Sequence, residues 1–98
     1  MLKTSADTEP TVTIENRTFD FALDMIKLYK HLNSNKEFII SKQLLRSGTS
    51  IGANVQEAQA AQSRNDFIAK MSIASKEARE TKYWTRLLDS SEYLHDYS

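Results

Sequence analysis

Residues 41–62 read SKQLLRSGTSIGANVQEAQAAQ, and this stretch decides the fold. One set of residues recurs in alternating steps of four and three, at Leu44, Gly48, Ile51, Val55, Ala58 and Gln62. This spacing places them on one face of a helix, in the heptad-like pattern through which helices pack on one another. The opposite face is also made mostly of small side chains. The pattern therefore predicts a helix over residues 41–62 that packs against neighbours on both sides.

A helix is predicted on either side of this one. Over residues 19–33, apolar side chains cover more than half of the helical circumference, and Thr18 with Asp20 supplies the signals of a helix start. Ser63 and Asp66 form a capping-box pattern, which predicts the start of a third helix. This helix is roughly 24 residues long. Residues 33–36 form the first loop. Beyond Ser90 the chain begins a short fourth helical element of about two turns.

Together these segments predict an all-α protein, an antiparallel up-down four-helix bundle with three long helices and a short or truncated fourth. We expect a flexible arm over residues 1–17 and the bundle domain over residues 18–98. A length of 98 residues is typical of one domain. With only two Gly and one Pro, the chain lacks the turn residues that a β architecture needs.

Composition excludes several classes of function. The chain has no Cys, which excludes disulfides, thiolate nucleophiles and thiolate metal sites. The 13 basic and 13 acidic residues balance, so no overall field draws the protein to nucleic acid or an anionic membrane. Neither a secretory signal nor a stretch long enough to span a membrane is present, which predicts a cytoplasmic protein without a membrane partner.

Candidate catalytic and ligand-binding residues are few. His31 and His95 have no nucleophile or orienting carboxylate at a suitable spacing, so we interpret both as exposed surface histidines. Glu77 and Glu80 lack the following His of a di-iron motif. We therefore predict no catalytic residue, no metal site and no cofactor. Gly48 and Gly52 form a G-x-x-x-G pattern, which in this context indicates a close approach between helices.

Glu77 is the most informative polar residue. Its position on the helical wheel lies on the apolar side of the third helix, where an unpaired carboxylate is costly. Arg46, Asn54 and Gln43 on the second helix are candidate partners. We interpret the position as part of a buried polar network that fixes helix register or a contact between subunits.

The third helix also carries a set of cations that we call the basic stripe, formed by Lys76, Arg79, Lys82 and Arg86. A charged stripe on a long helix is usually a solvated face. Tyr83 lies among these cations and could stack on a base, which favours a nucleic-acid surface. Both interpretations remain open from the residues alone.

Two stretches resemble motifs of one bacterial family, residues 41–58 and residues 76–84 (KEARETKYW). The family comprises small four-helix-bundle proteins encoded in intervening sequences of 23S rRNA genes and described as ribosomal-protein-like. The resemblance extends over about residues 18–95 and implies a homopentamer with no assigned enzymatic activity. A related branch, the accessory variability determinant of diversity-generating retroelements, is basic and binds a reverse transcriptase and nucleic acid. Carried over by position, the motif residues form a candidate assembly network of Arg46, Asn54, Glu57, Glu77 and Glu80.

This chain departs from the family in two respects. Members usually continue into a full fourth helix, so we expect other copies of the chain to complete the core. The balanced charge also differs from that of the basic branch. We therefore expect a non-enzymatic homo-oligomer that acts as a structural module. The alternative is an RNA- or ribonucleoprotein-binding adaptor, with an rRNA, an RNA-processing protein or a reverse transcriptase as partner for the basic stripe.

Overall fold

Three α-helices follow one another in the computed structural model, which describes residues 13–97: α1 (Ile14–Ser34), α2 (Ile40–Gln59) and α3 (Arg64–Ser90). The short connections between them make successive helices antiparallel. Helix α2 lies in the middle and packs against both others, as its two small faces predict, whereas within residues 13–97 no Cα atom of α1 lies within 8 Å of a Cα atom of α3. The array measures 47 × 35 × 16 Å. Its smallest dimension is little more than one helix diameter of about 10–12 Å, so the helices form a single layer.

The start of α1 differs from the prediction. Thr13 is the N-cap, and its Oγ1 accepts a hydrogen bond from the Asn16 N–H at 3.1 Å. Thr18, the predicted start, lies one turn inside the helix, where its hydroxyl donates to the carbonyl oxygen of Ile14 at 2.8 Å. Residues 14–17 of the predicted arm are therefore the first turn of α1, whereas residues 1–12 lie outside the described residues.

The start of α3 confirms the predicted cap. The Ser63 Oγ accepts a hydrogen bond from the Asp66 N–H at 3.0 Å, and the helix extends for 27 residues from Arg64. Helix α2 ends at Gln59, three residues before the predicted Gln62, and the following N–H groups of Ala60 and Ala61 close tighter turns. The motif residues 41–58 thus lie entirely within α2.

The predicted fourth helical element is wrong for the described residues, because residues 91–97 form turns instead. Glu92 adopts a left-handed conformation with φ 71°. The Tyr93 N–H then bonds the Leu88 carbonyl oxygen at 3.0 Å, and the Glu92 N–H bonds that of Asp89 at 3.0 Å. These two bonds are those of a Schellman motif, which ends a helix and reverses the chain. Lys36, with φ 65°, ends α1 in the same way.

A compact apolar core lies toward the end of the layer where α1 and α3 finish. It consists of Met25, Leu28, Leu32, Leu44 and Leu88, against which Ile40, Trp84 and Leu94 pack. Burying each of these larger side chains contributes about 1.5–3 kcal/mol relative to leaving it in water. Leu94, which follows the Schellman turn, covers this end. The turn segment therefore contributes a side chain to the core.

The two glycines of α2 permit a close approach to α1, as the G-x-x-x-G pattern predicts. A Cβ on Gly48 would lie 2.5 Å from the Met25 Cγ, and a Cβ on Gly52 would lie 3.2 Å from the Thr18 carbonyl oxygen. Both separations are shorter than ordinary van der Waals contact between such atoms. The glycines therefore set the distance between α1 and α2.

Candidate interaction surfaces

A cluster of charged side chains joins α2 to α3. The Arg46 guanidinium lies 3.3 Å from the Glu77 Oε1, and its second terminal nitrogen donates to the Glu80 Oε2. The side chain of Glu77 is only 12% exposed, whereas that of Arg46 is 49% exposed. Because one guanidinium binds both carboxylates, each acid has its counter-ion on the neighbouring helix. The arrangement holds two helices in register. We call these three residues, together with Ser50, Asn54 and Trp84, the α2–α3 cluster.

Three further side chains complete the α2–α3 cluster. The Trp84 indole N–H donates to the Glu80 Oε2 at 3.0 Å, and the Ser50 hydroxyl donates to the Glu77 Oε2 at 3.4 Å. Asn54 joins the cluster through Ser50, because its amide donates to the Ser50 carbonyl oxygen at 2.9 Å and to the Ser50 Oγ at 3.2 Å. The structure thus brings four of the five predicted network residues together. Glu57 is exposed and takes no part in these contacts.

A buried pair of hydroxyls between the same two helices is a feature that the sequence analysis missed. The Thr81 Oγ1 lies 2.9 Å from the Ser47 Oγ, and Ser47 is fully buried. Thr81 also bonds the Glu77 carbonyl oxygen at 2.8 Å, as hydroxyls inside helices commonly do. The available signal was position, since Ser47 lies one helical turn after Leu44 on the packing side.

The basic stripe lies on the outer surface of α3. All four of its cations are exposed, and within residues 13–97 none of them forms an ion pair. Arg79 donates to the Ser75 hydroxyl at 3.1 Å. The acids of the same helix, Glu77 and Glu80, are bound by Arg46 of α2. Tyr83 is 56% exposed, so the stripe is a positive surface with one accessible aromatic ring.

An open groove of about 750 Å³ runs between α1 and α3 across α2. Its sides are formed by Phe21 of α1, Ile51 of α2, and Ala78 and Thr85 of α3, and Leu94 closes one end. Charged side chains stand along the margins, at Arg17 on one side and at Lys82, Arg86 and Asp89 on the other. The groove exists because α1 and α3 do not touch.

A second apolar surface lies on α1, within the apolar arc that covers more than half of this helix. Phe19, Leu23 and Ile26 are 60%, 44% and 38% exposed. Their spacing of four and three places them in one row, which we call the α1 stripe. Within residues 13–97 the row is uncovered, because α2 is the only helix that packs on α1 there and that contact uses the side bearing Met25.

One histidine differs from its predicted environment. The ring of His31 is half-buried against Tyr97, with 4.7 Å between ring centroids, and its Nε2 lies 4.0 Å from the Asp96 Oδ1. His31 therefore contacts the turn segment through the Tyr97 ring, and its Nε2 lies nearer to the Asn35 amide, at 3.1 Å, than to Asp96, so it is not a free surface residue. His95 is exposed as predicted, and its Nδ1 lies 2.8 Å from the Glu92 carbonyl oxygen.

Two other features of the described segment concern ligands and membranes. Over residues 13–97, no three of the His, Asp and Glu side chains gather as metal ligands would. No helix of the same segment combines the length and apolar character needed to cross a bilayer.

The chain is similar to known proteins over nearly its full length. A solved structure from Bacteroides thetaiotaomicron VPI-5482, a protein of unknown function from the S23 ribosomal protein family, is 54% identical. The match covers 86% of this chain and 79% of that chain, with a TM-score of 0.83. No curated protein sequence matches. Residues 11–98 match the family described as 23S rRNA-intervening sequence protein, and they include both motifs, the α2–α3 cluster and the basic stripe, so the chain belongs to that family.

Proposed function

We propose that this protein is a non-enzymatic structural module that assembles with copies of itself, in the homopentamer that the resemblance implies. The observation that carries the proposal is the single helical layer. A layer this thin cannot cover its apolar side chains, and it leaves the groove on one surface and the α1 stripe on another. Exposed apolar patches of this kind are typical of surfaces that bind another protein.

The α2–α3 cluster supports the same proposal. It orients α3 relative to α2, and therefore sets the width of the groove that lies between α1 and α3. The acids of the cluster are held by Arg46, which leaves them no evident role as free general bases. Their function in this proposal is to keep the apolar surfaces at a fixed spacing.

Sedimentation velocity over a range of protein concentrations tests the assembly. We expect a discrete oligomer, and we expect Leu23→Gln in the α1 stripe to dissociate it. The matched control is Lys36→Gln, at an exposed residue outside the groove, the stripe, the cluster and the candidate assembly network. A monodisperse, fully folded monomer of the unmodified chain at all concentrations would contradict the proposal.

A second candidate function, an RNA- or ribonucleoprotein-binding adaptor, is favoured by the charge on the outer surface of α3. The balanced net charge conceals this surface, because Glu77 and Glu80 of α3 pair with Arg46 of α2, while the basic stripe forms no ion pair within residues 13–97. Cations that track a phosphate backbone around an accessible aromatic ring are typical of single-stranded nucleic-acid binding.

RNA binding by the basic stripe predicts an affinity that falls with salt, with a slope of about −0.7 per phosphate contact for a single strand. Replacing Lys76, Arg79, Lys82 and Arg86 by Ala should reduce both the affinity for 23S rRNA fragments and that slope. The matched control removes four exposed cations elsewhere, at Lys30, Lys36, Lys42 and Arg64. Equal losses in the two variants, or no binding by the unmodified chain at low salt, would contradict this function.

A further inference from the structure

The outer surface of α3 holds a small open hollow in addition to the groove. Its volume is about 330 Å³, and it is lined by Tyr83, Arg86, Leu87 and Ser90, all from the last turns of α3. Tyr83 is 56% exposed and Leu87 is 38% exposed, so an aromatic ring and an aliphatic side chain both meet solvent there. We call this feature the α3 hollow. It offers a flat ring an apolar surface and a guanidinium at one edge.

The cations around the α3 hollow share one face of the helix. Lys76, Arg79, Tyr83 and Arg86 follow one another in steps of three, four and three residues, which places them in one row. At 1.5 Å per residue, Arg79 stands about 6 Å before Tyr83 along the helix axis and Arg86 stands about 4.5 Å after it. An aromatic ring between two guanidinium groups matches a nucleotide in a strand, whose base lies between two phosphates.

Acidic side chains leave this row open in one direction. The acids between Lys76 and Arg86 are Glu77 and Glu80, and both bind Arg46 of α2. Beyond Arg86 the exposed charges are acidic instead, at Asp89 and Glu92. The positive surface therefore extends from the α3 hollow toward Lys76, and an anionic strand is favoured along that direction only.

The ring of Tyr83 is oriented by a chain of contacts that begins on α2. Arg46 donates to the Glu80 Oε2, which also accepts the Trp84 indole N–H at 3.0 Å. The Trp84 ring meets the Tyr83 ring edge to face, with 5.2 Å between centroids and 66° between ring planes. Aromatic pairs attract one another in this geometry, and a ring that is already oriented loses less freedom on binding. The α2–α3 cluster therefore prepares Tyr83 to stack.

We propose that the α3 hollow binds one unpaired nucleobase of single-stranded RNA, stacked on Tyr83 against Leu87. The phosphates on either side bind Arg79 and Arg86, and the strand continues toward Lys76. The base must be unpaired, because in a duplex its faces are covered by the neighbouring bases. The inference rests on the second candidate function, RNA binding by the basic stripe, and names the part of the strand that the protein selects.

Strands of equal charge with and without bases test the stacking. Fluorescence anisotropy measures the affinity of the unmodified chain for a labelled RNA of about eight nucleotides and for an abasic strand of the same length. We expect the RNA to bind about tenfold more tightly, since that is the factor one stacked base contributes. The corresponding duplex should bind more weakly than the single strand. DNA of the same sequence also presents unpaired bases between phosphates, and it should show the same preference over an abasic strand.

Substitution of the ring locates the stacking. Tyr83→Leu should remove the preference for the strand with bases and leave the salt dependence of binding unchanged, because the cations remain. Tyr83→Phe should retain the preference, since the ring is kept. Tyr93→Leu is the matched control, at another exposed Tyr that lies outside the α3 hollow and the basic stripe. Circular dichroism checks that every variant folds.

Trp84 supplies a second measurement, because it is the only Trp of the chain and its ring contacts Tyr83. The RNA should change the Trp84 emission, whereas the abasic strand bound to the same cations should not. In this proposal Glu80 is a positioning residue that contacts no nucleotide. Glu80→Ala should reduce the preference for bases, and Glu80→Gln, which keeps an oxygen for the indole N–H, should restore it. A purely structural role would lower the melting temperature and leave the preference unchanged.

The outcomes separate the base site from the function on which it rests. Equal affinities for the RNA and the abasic strand, a preference that survives Tyr83→Leu, or a duplex that binds as tightly as the single strand would each overturn the base site. All three would leave RNA binding by the basic stripe standing. Absence of any binding at low salt would overturn both.

Discussion

Gly48 determines how closely α1 and α2 can pack, and it does so against one flexible side chain. The atoms nearest to a methyl group placed at this position all belong to Met25. At Gly52 the nearest atoms are backbone atoms of Thr18, which cannot move independently of α1. The two glycines of one motif therefore differ in what a larger residue would displace.

Gly48→Ala should lower the free energy of unfolding by about 1 kcal/mol, since overpacking outweighs the gain in helix propensity. In a Met25→Ala background the same substitution should be neutral or stabilising, because the displaced side chain is absent. Urea denaturation of the four proteins measures both effects. An equal destabilisation in the two backgrounds would show that Met25 is not the obstacle.

Arg46 and Glu77 offer a second test at the level of single residues. Arg46→Ala leaves a nearly buried carboxylate with little besides the weak bond from Ser50, so the free energy of unfolding should fall by about 1–3 kcal/mol. A double-mutant cycle with Glu77→Ala should give a coupling of about 0.5–1.5 kcal/mol. The same cycle with Glu57→Ala should give none, and equal couplings would refute a specific pair.

At the scale of elements, α2 depends on a residue that precedes it. The carboxylate of Glu37 accepts hydrogen bonds from the N–H groups of Ile39, Ile40 and Ser41, at 3.2, 3.0 and 2.5 Å. Glu37 is itself buried, and its carbonyl oxygen accepts a bond from the Ser41 hydroxyl at 2.9 Å. One side chain thus satisfies the free donors of the first turn, where a negative charge is favoured.

Glu37→Ala should reduce the free energy of unfolding by about 1–2 kcal/mol, because these donors lose their acceptor in a buried site. Glu37→Gln should cost less, since one oxygen remains to accept. The denaturant concentration at which half of the protein is unfolded measures the difference, provided that the unfolding slope is the same for each variant. Glu92→Ala, an exposed acid in the second Schellman turn, is the control, and a similar loss there would argue against a capping role for Glu37.

At the scale of the whole molecule, stability and assembly are linked. Phe19 and Leu23 are exposed in the single chain, so replacing both by Gln should not weaken the fold of that chain. The melting temperature of the unmodified protein should rise with protein concentration, and that dependence should disappear in the variant. Leu28→Ala, in the core, should instead lower the melting temperature at every concentration. A concentration-independent melting temperature for the unmodified protein would contradict this link.

Parts of the candidate site could be predicted from the sequence. The helical wheel placed Glu77 on the apolar side of a helix, where a buried carboxylate requires a counter-ion. Arg46 was a candidate partner because it is a cation on α2 at a matching height along the helix axis. The pairing of Ser47 with Thr81 was missed, because position along α2 placed Ser47 on the packing side without identifying its partner on α3. The short fourth element was wrong for a local reason, since nothing in the residue type of Glu92 indicates a left-handed turn.

The sequence by itself determined that the chain forms three long helices and that the middle one packs on both sides, because the periods of four and three, the Ser63 cap and the paired glycines all act within a few residues of one another. Only the tertiary structure decided which apolar rows are covered. A helical wheel shows that Phe19, Leu23 and Ile26 form a row, but it cannot show that α2, the helix packed on α1 within residues 13–97, lies on the other side. The single layer, the open groove and the uncovered α1 stripe follow from that arrangement, which depends on contacts between residues far apart in the chain.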